Sequence, residues 1–226
     1  MLLGSDVLLG PTPPDSEYLE AYRQLRTSLL ALRQEAEFRS ILVTSATSGE
    51  GKSTVAINLG TVLALASRRS VCIDLDLHRP SLHDLVGVPI EPGITDVMAG
   101  RVALDEAISE TGVPGLRIIP AGGLYHERAD ILGVGPTEAI FNGIGEQADF
   151  VIVDTAPVVD FAVSQELARM VDMCIVVARA RRGIAAVVRA CEVLEEVGGV
   201  VAGVVVNDIL PEDAAGASYG YYEGGP

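Results

Sequence analysis

The run Ser40-Ile41-Leu42-Val43-Thr44 is short, apolar and rich in branched side chains, and it opens directly into Ser45-Ala46-Thr47-Ser48-Gly49-Glu50-Gly51-Lys52-Ser53-Thr54. The first part reads as a strand, and the stretch 52–67 that follows reads as a helix. Between them the glycines, the lysine and the hydroxyl fall at the spacing of a phosphate-binding loop, with Ala46 where the strict pattern has glycine. Each position has a physical task. Gly49 and Gly51 let backbone N–H groups curl around phosphate oxygens. The N-terminus of the following helix adds a favourable partial charge. Lys52 reaches the β- and γ-phosphates of a nucleoside triphosphate, and the Ser53 hydroxyl ligates Mg²⁺. The nucleotide contacts expected here are Ser48, Gly49, Glu50, Gly51, Lys52, Ser53 and Thr54. Composition agrees, because Lys52 is the one lysine among 16 basic residues.

Further strands are expected at 71–74, 116–120, 150–153, 174–177 and 201–206. Helices are expected at 16–34, 137–146, 162–170 and 184–197. Several strand runs are unbroken Val/Ile, as befits parallel strands buried on both faces. The alternation predicts an α/β fold: a single-domain, doubly wound, mostly parallel sheet. Residues 1–15, with Gly10-Pro11-Thr12-Pro13-Pro14, read as a flexible lead. Residues 16–208 form the domain, with a helix over 16–36 at its start, and the Gly-, Ala- and Tyr-rich stretch 209–226 reads as a mobile tail.

Charge narrows the function classes. The 226 residues carry a net charge of −15, which disfavours nucleic acid and anionic membrane surfaces as partners. No run of about 18 apolar residues occurs, so no direct membrane insertion is expected. The N-terminus has no basic region before an apolar one and does not read as a signal peptide. Cys72, Cys174 and Cys191 are widely spaced and form no disulfide or zinc pattern, which points to a reducing cytoplasm.

Two more apolar runs end in carboxylates. Phe150-Val151-Ile152-Val153-Asp154 places Asp154 at a strand's C-terminal end, where ligands bind in open α/β sheets. Val71-Cys72-Ile73-Asp74-Leu75-Asp76 places two more beyond a second strand. Carboxylates beside a triphosphate hold Mg²⁺ or accept a proton from an attacking hydroxyl. The expected metal set is Ser53, Asp74 and Asp154, and the expected catalytic set is Lys52, Asp74, Asp76 and Asp154. A competing reading makes Asp74 a ribose contact or a capping residue, but no G-x-G-x-x-G precedes it. His78, His83 and His126 share no metal-ligand spacing and read as loop residues. Arg179-Ala180-Arg181-Arg182 follows a strand end and reads either as a phosphate or acidic contact or as a solvated loop.

Together these features resemble the bacterial tyrosine kinases (BY-kinases), P-loop enzymes of capsule and exopolysaccharide export. Gly49-Glu50-Gly51-Lys52-Ser53-Thr54 is similar to the family's phosphate loop. Asp74-Leu75-Asp76-Leu77-His78-Arg79-Pro80-Ser81-Leu82-His83 is similar to its Walker A′ motif and the Arg-Pro-x-x-His that follows. Ile152-Val153-Asp154-Thr155-Ala156-Pro157 is similar to its Walker B motif. The sequence departs from the family at His78, which stands at the arginine position of D-x-D-x-R, with Arg79 next. Glu20-Ala21-Tyr22-Arg23-Gln24-Leu25-Arg26 matches the family's E-x-x-R-x-x-R segment, which implies ring-like self-association through Glu20, Arg23 and Arg26. Read from spacing alone, these residues share one helix face. Tyr219, Tyr221 and Tyr222 resemble the family's C-terminal acceptor cluster. The resemblance also places Asn207 near the adenine.

The family implies a tyrosine autokinase using ATP and Mg²⁺, in which Asp74 or Asp76 orients or deprotonates the acceptor. It also implies a membrane-embedded polysaccharide co-polymerase as activator, and a cytoplasmic chain recruited to the inner face of the membrane. Two alternatives share the core. One is a ParA/MinD-type ATPase, disfavoured by Thr47 and Ser48 early in the loop and by the acidic charge. The other is a catalytically weak, nucleotide-gated assembly module, with His78 marking altered chemistry.

Overall fold

Six parallel strands and one short antiparallel strand build a sheet in the order β3-β4-β2-β5-β1-β6-β7. The strands are β1 (Ser40–Ser45), β2 (Ser70–Leu75), β3 (Ser109–Glu110), β4 (Leu116–Ile119), β5 (Phe150–Thr155), β6 (Met173–Arg179) and β7 (Val201–Asn207). The helices are α1 (Glu17–Glu35), α2 (Lys52–Ala64), α3 (Leu82–Val86), α4 (Ile94–Met98), α5 (Leu104–Ala107), α6 (Val134–Gly145), α7 (Ala162–Ala168) and α8 (Ile184–Glu196). This computed structural model describes residues 8–10, 17–123, 134–145 and 147–209. The expectations for His126, Tyr219, Tyr221 and Tyr222 lie outside the described residues.

Strand alternation splits the core into two layers. Ile41, Val43, Cys72, Phe150, Ile152 and Ile175 face one way, against α1, α2 and Leu82 of α3. Leu42, Val71, Ile73, Val151, Val153 and Val176 face the other, against α4 to α8. Every residue of β2 and β5 is buried, which is why these runs carry apolar side chains at consecutive positions. Burial also claims all of α2 except Ser53 and Thr54, so its sequence is apolar all round instead of striped.

The chain steps from β1 past the place of β5 to β2 and β4, then returns to insert β5 and continues through β6 and β7 on the other side of β1. The phosphate loop therefore leaves β1 at the point where the strand order reverses, the usual place for a ligand in such sheets.

The six strands expected from the sequence are all present, as is the doubly wound fold. Three short helices (α3, α4, α5) and β3 lie in a stretch whose periodicity is too brief to mark them. Residues 8–10 correct part of the flexible lead. Leu9 is buried in the α1/α2 layer, and its N–H donates to Asn58 Oδ1 on α2 at 2.8 Å. An apolar side chain with a core to enter outweighs the glycine and prolines around it.

Candidate active site

The loop between β1 and α2 is shaped by its own side chains. Gly49 and Gly51 have φ of 78° and 91°, a region that side chains disfavour. The Thr47 N–H donates to the buried Glu50 carboxylate at 3.0 Å, and Ser45 Oγ donates to the Thr47 carbonyl at 2.6 Å. Thr44 Oγ1 donates to the Ala156 carbonyl, and the Val158 N–H donates to the Ser45 carbonyl, pinning the β5–α7 loop to the base of the phosphate loop. The result is a cleft of about 300 Å³ lined by Ser48, Gly49, Gly51, Lys52, Ser53 and Thr54 on one side. Of the expected loop contacts, Glu50 is set apart because it is buried, its carboxylate accepting from the Thr47 N–H, and it does not line the cleft.

Asn207, the last residue of β7, also lines the cleft. Its Nδ2 donates to the Glu50 carbonyl at 3.0 Å, and its Oδ1 accepts from the Asp208 N–H at 3.0 Å. A methyl group at Gly51 would overlap this carboxamide. Asn207 thus fixes the loop's shape from the far end of the chain.

The three carboxylates separate by role. Asp154 is completely buried at the end of β5, and neither of its oxygens completes a hydrogen bond of ordinary geometry among the described residues. Burial pushes its carboxyl well above the usual range and the charge of Asp74 adds to this, while the nearby Ser53 hydroxyl and Lys52 ammonium pull it back. Asp74 is as deeply buried but well bonded. Its Oδ2 accepts from the Ser81 and Leu82 N–H groups at 2.9 Å each, and its Oδ1 from the Asp76 N–H at 3.2 Å. Burial still pushes it up to about 7, against the opposing pull of those donors. Asp76 lines the cleft and accepts from the Arg79 N–H at 3.0 Å. Asp74 therefore holds the β2–α3 loop in place, Asp76 faces the cleft, and Asp154 carries the unsatisfied oxygens.

Four further residues enter the site; the sequence raises Arg79 and the run Arg179–Arg182 but gives Ser81 no role of its own. Ser81 Oγ donates to Ser53 Oγ at 2.8 Å and orients the hydroxyl expected to meet the metal. Arg79 lines the cleft with Nη1 3.4 Å from Ser48 Oγ. Its neighbour His78 instead stacks on Phe161, with ring centroids 4.4 Å apart. The cationic position of the family motif is thus displaced by one residue along the loop. Arg182 Nη1 donates to Thr47 Oγ1 at 2.9 Å. Arg179 lines the cleft and is held by Asp208, with Nη2 2.6 Å from Oδ2. Both arginines bond to the phosphate loop, Arg179 half-buried and Arg182 still exposed.

On α1, Glu20 and Arg23 are exposed and pair at 3.6 Å. Arg26 is half-buried and donates from Nη1 to the Val62 carbonyl on α2 at 3.1 Å. The shared face holds, but its last member is anchored inward. No helix among the described residues is long and apolar enough to cross a membrane.

Residues 41–219 match the family model described as the CobQ/CobB/MinD/ParA nucleotide binding domain. The putative tyrosine-protein kinase CapB of Staphylococcus aureus is 29% identical over 210 residues, which cover 92% of each protein. The putative tyrosine-protein kinase EpsB of Ralstonia solanacearum is 32% identical over 219 residues, covering 95% of this chain but only 29% of that protein. The solved kinase domain of the Escherichia coli tyrosine kinase ETK superposes with a TM-score of 0.85 at 28% identity, over 89% of this chain and 79% of that one. The chain is therefore nearly as long as CapB but spans under a third of EpsB. On sequence, fold and site together, it belongs to the CobQ/CobB/MinD/ParA nucleotide-binding family and, within it, to the bacterial tyrosine kinases.

Proposed function

We propose that the chain is an ATP-dependent protein-tyrosine autokinase of a capsule or exopolysaccharide system. One observation carries the reading. Lys52 and Ser53 of the phosphate loop meet the buried, unsatisfied carboxylate of Asp154 at the point where the strand order reverses. The names of its relatives support the same reading.

The donor set suits magnesium, since Ser53 Oγ and Asp154 offer hard oxygen ligands and Asp74 lies beside them. When bound, ATP·Mg²⁺ supplies an electrophilic γ-phosphorus with its charge partly neutralised. Lys52 and the loop amides stabilise negative charge on the transferring group. Asp76, which faces the cleft, orients the acceptor hydroxyl. As the tyrosine Oη–phosphorus bond forms, the bond from phosphorus to the β-phosphate oxygen breaks, ADP leaves, and the phenolic proton passes to Asp76. A phenol with a pKa of about 10 gives up that proton late, so positioning and electrostatics dominate.

Tyr219, Tyr221 and Tyr222 of a neighbouring subunit are the acceptors in this reading. Glu20, Arg23 and Arg26 join subunits into a ring. A membrane-embedded co-polymerase recruits the cytoplasmic chain to the inner face of the membrane and activates it. The charge of −15 argues against nucleic acid as a partner. A nucleotide-gated assembly module without phosphate transfer is the second reading, favoured by the turning of His78 away to Phe161.

Intact-mass and peptide mapping after incubation with ATP and Mg²⁺ tests this, with wild type beside Lys52→Ala. The expected result is mass gained in steps of one phosphate on Tyr219, Tyr221 or Tyr222, absent in the variant. ATP-driven assembly with no gain, even with the activator's cytoplasmic segment present, selects the assembly module.

A further inference from the structure

We propose that the stacked rings of His78 and Phe161 form the acceptor subsite, a rim that binds the phenol ring of an incoming tyrosine and sets it over Asp76. This rests on the kinase reading above and adds where the acceptor sits and why it is aromatic.

The placement comes from the sheet. β2 and β5 run side by side in register, Asp74 opposite Asp154 and Leu75 opposite Thr155. The loops that continue from these two strands carry His78 and Phe161. Their rings meet at 4.4 Å with a tilt of 40°, bridging the two loops beside the acid cluster. His78 lies between Asp76, which lines the nucleotide cleft, and Arg79, which lines it too. Neither ring is spent on the core, since His78 is exposed and Phe161 is half-buried. Val159, 37% exposed on the same loop as Phe161, widens the apolar surface. A partly exposed pair of stacked rings on the loops that carry the carboxylates invites a third ring that carries a hydroxyl.

The pairing also accounts for the altered motif. With Arg79 lining the cleft, position 78 is released from phosphate duty, and an aromatic residue there builds a wall that an arginine would not. A serine or threonine offers its hydroxyl with no ring to lay against the pair. The acceptor chemistry selected is therefore a tyrosine on an acidic, glycine-rich segment. Residues 212–226 have that composition, with Tyr219, Tyr221, Tyr222 and Glu223. The arginine at the mouth, Arg79, complements its charge.

The test uses the full chain and a fluorescent peptide of residues 212–226 added in trans. Its affinity is measured with ADP·Mg²⁺ present, and its phosphorylation with ATP·Mg²⁺. Phe161→Ala is expected to weaken peptide binding and raise the peptide KM about tenfold, the scale of one aromatic contact. kcat and ADP affinity should stay within about twofold, as expected of a subsite that touches only the acceptor ring. Phe161→Trp should restore binding, and the exposed His78→Ala should weaken it in the same direction. Unchanged peptide affinity in both alanine variants overturns the subsite, and so does a loss of ADP affinity in step with peptide affinity. If wild type transfers phosphate while Phe161→Ala leaves KM unchanged, the subsite falls and the kinase reading stands. If the rings bind the peptide and no phosphate moves even with the activator's cytoplasmic segment present, the rings stand as a peptide-binding site and the kinase reading falls.

Discussion

Asp74 and Asp154 stand opposite one another where β2 and β5 run in register, and both side chains are fully buried. The folded protein holds Asp74 up at about 7 and Asp154 well above its ordinary value, chiefly through burial. Unfolded aspartate titrates near about 3.9. Between those values the folded state keeps protons that the unfolded chain has lost. This pair therefore costs nothing below about pH 4, costs progressively more as pH rises to about 7 and beyond, and then levels off. Asp96, Asp149 and Asp172 are held low by their arginine and backbone partners, so they act in the opposite sense and lose stability as pH falls. The clean readout is a difference. Without Mg²⁺, Asp154→Asn should be more stable than wild type at pH 8 by roughly 1–3 kcal/mol, the scale of a removed unpaired buried charge. The advantage should vanish near pH 4, as followed by thermal melts across pH.

Gly49 and Gly51 both have positive φ, but their surroundings differ. Gly49 has open space where a Cβ would go, and Gly51 has the Asn207 carboxamide. Gly49→Ala should cost roughly 1–3 kcal/mol from backbone strain alone. Gly51→Ala adds steric overlap and should abolish measurable nucleotide binding by calorimetry. The Gly51→Ala, Asn207→Ala double variant should be more stable in urea than the two single losses sum to, because the overlap is gone.

Ser81→Ala removes the hydroxyl that donates to Ser53 while leaving the Ser81 N–H on Asp74. Stability should change by only about 1 kcal/mol. The Mg²⁺ concentration for half-maximal nucleotide binding should rise about tenfold, as for other residues that orient a metal ligand.

If Glu20, Arg23 and Arg26 join subunits as proposed, variants at these positions separate assembly from folding. Glu20→Ala and Arg23→Ala break an exposed pair and should move the urea midpoint by no more than a few tenths of a kcal/mol. Arg26→Ala also loses its bond to the Val62 carbonyl and should cost about 1 kcal/mol. All three should reduce oligomer size in sedimentation velocity, and only the last should lower stability as well.

The strands and the phosphate loop were legible because they rest on local signals: β-branched runs, glycines with a fixed task, and one lysine. Asp154 was legible because a strand's end is a place the pattern marks. The division of labour among Asp74, Asp76 and Asp154 was not, since it depends on which backbone N–H groups reach each carboxylate after the β2–α3 loop closes. Ser81 on Ser53, Arg182 on Thr47 and Asn207 against Gly51 join residues far apart in the chain. No periodicity records such contacts. The exchange between His78 and Arg79 is a matter of which side of the loop each residue leaves from, and one residue of offset reverses it.

The near-complete burial of α2 has a consequence for how such a chain can change over generations. A helix with neighbours on every side accepts a new side chain only when something across from it changes too, so the receptor for phosphate is locked by its packing. Residues 78–79, 159–160 and 181–183 are exposed and carry far less of that packing. Lineages that share this core are thus free to rework what enters the mouth while inheriting the grip on phosphate intact.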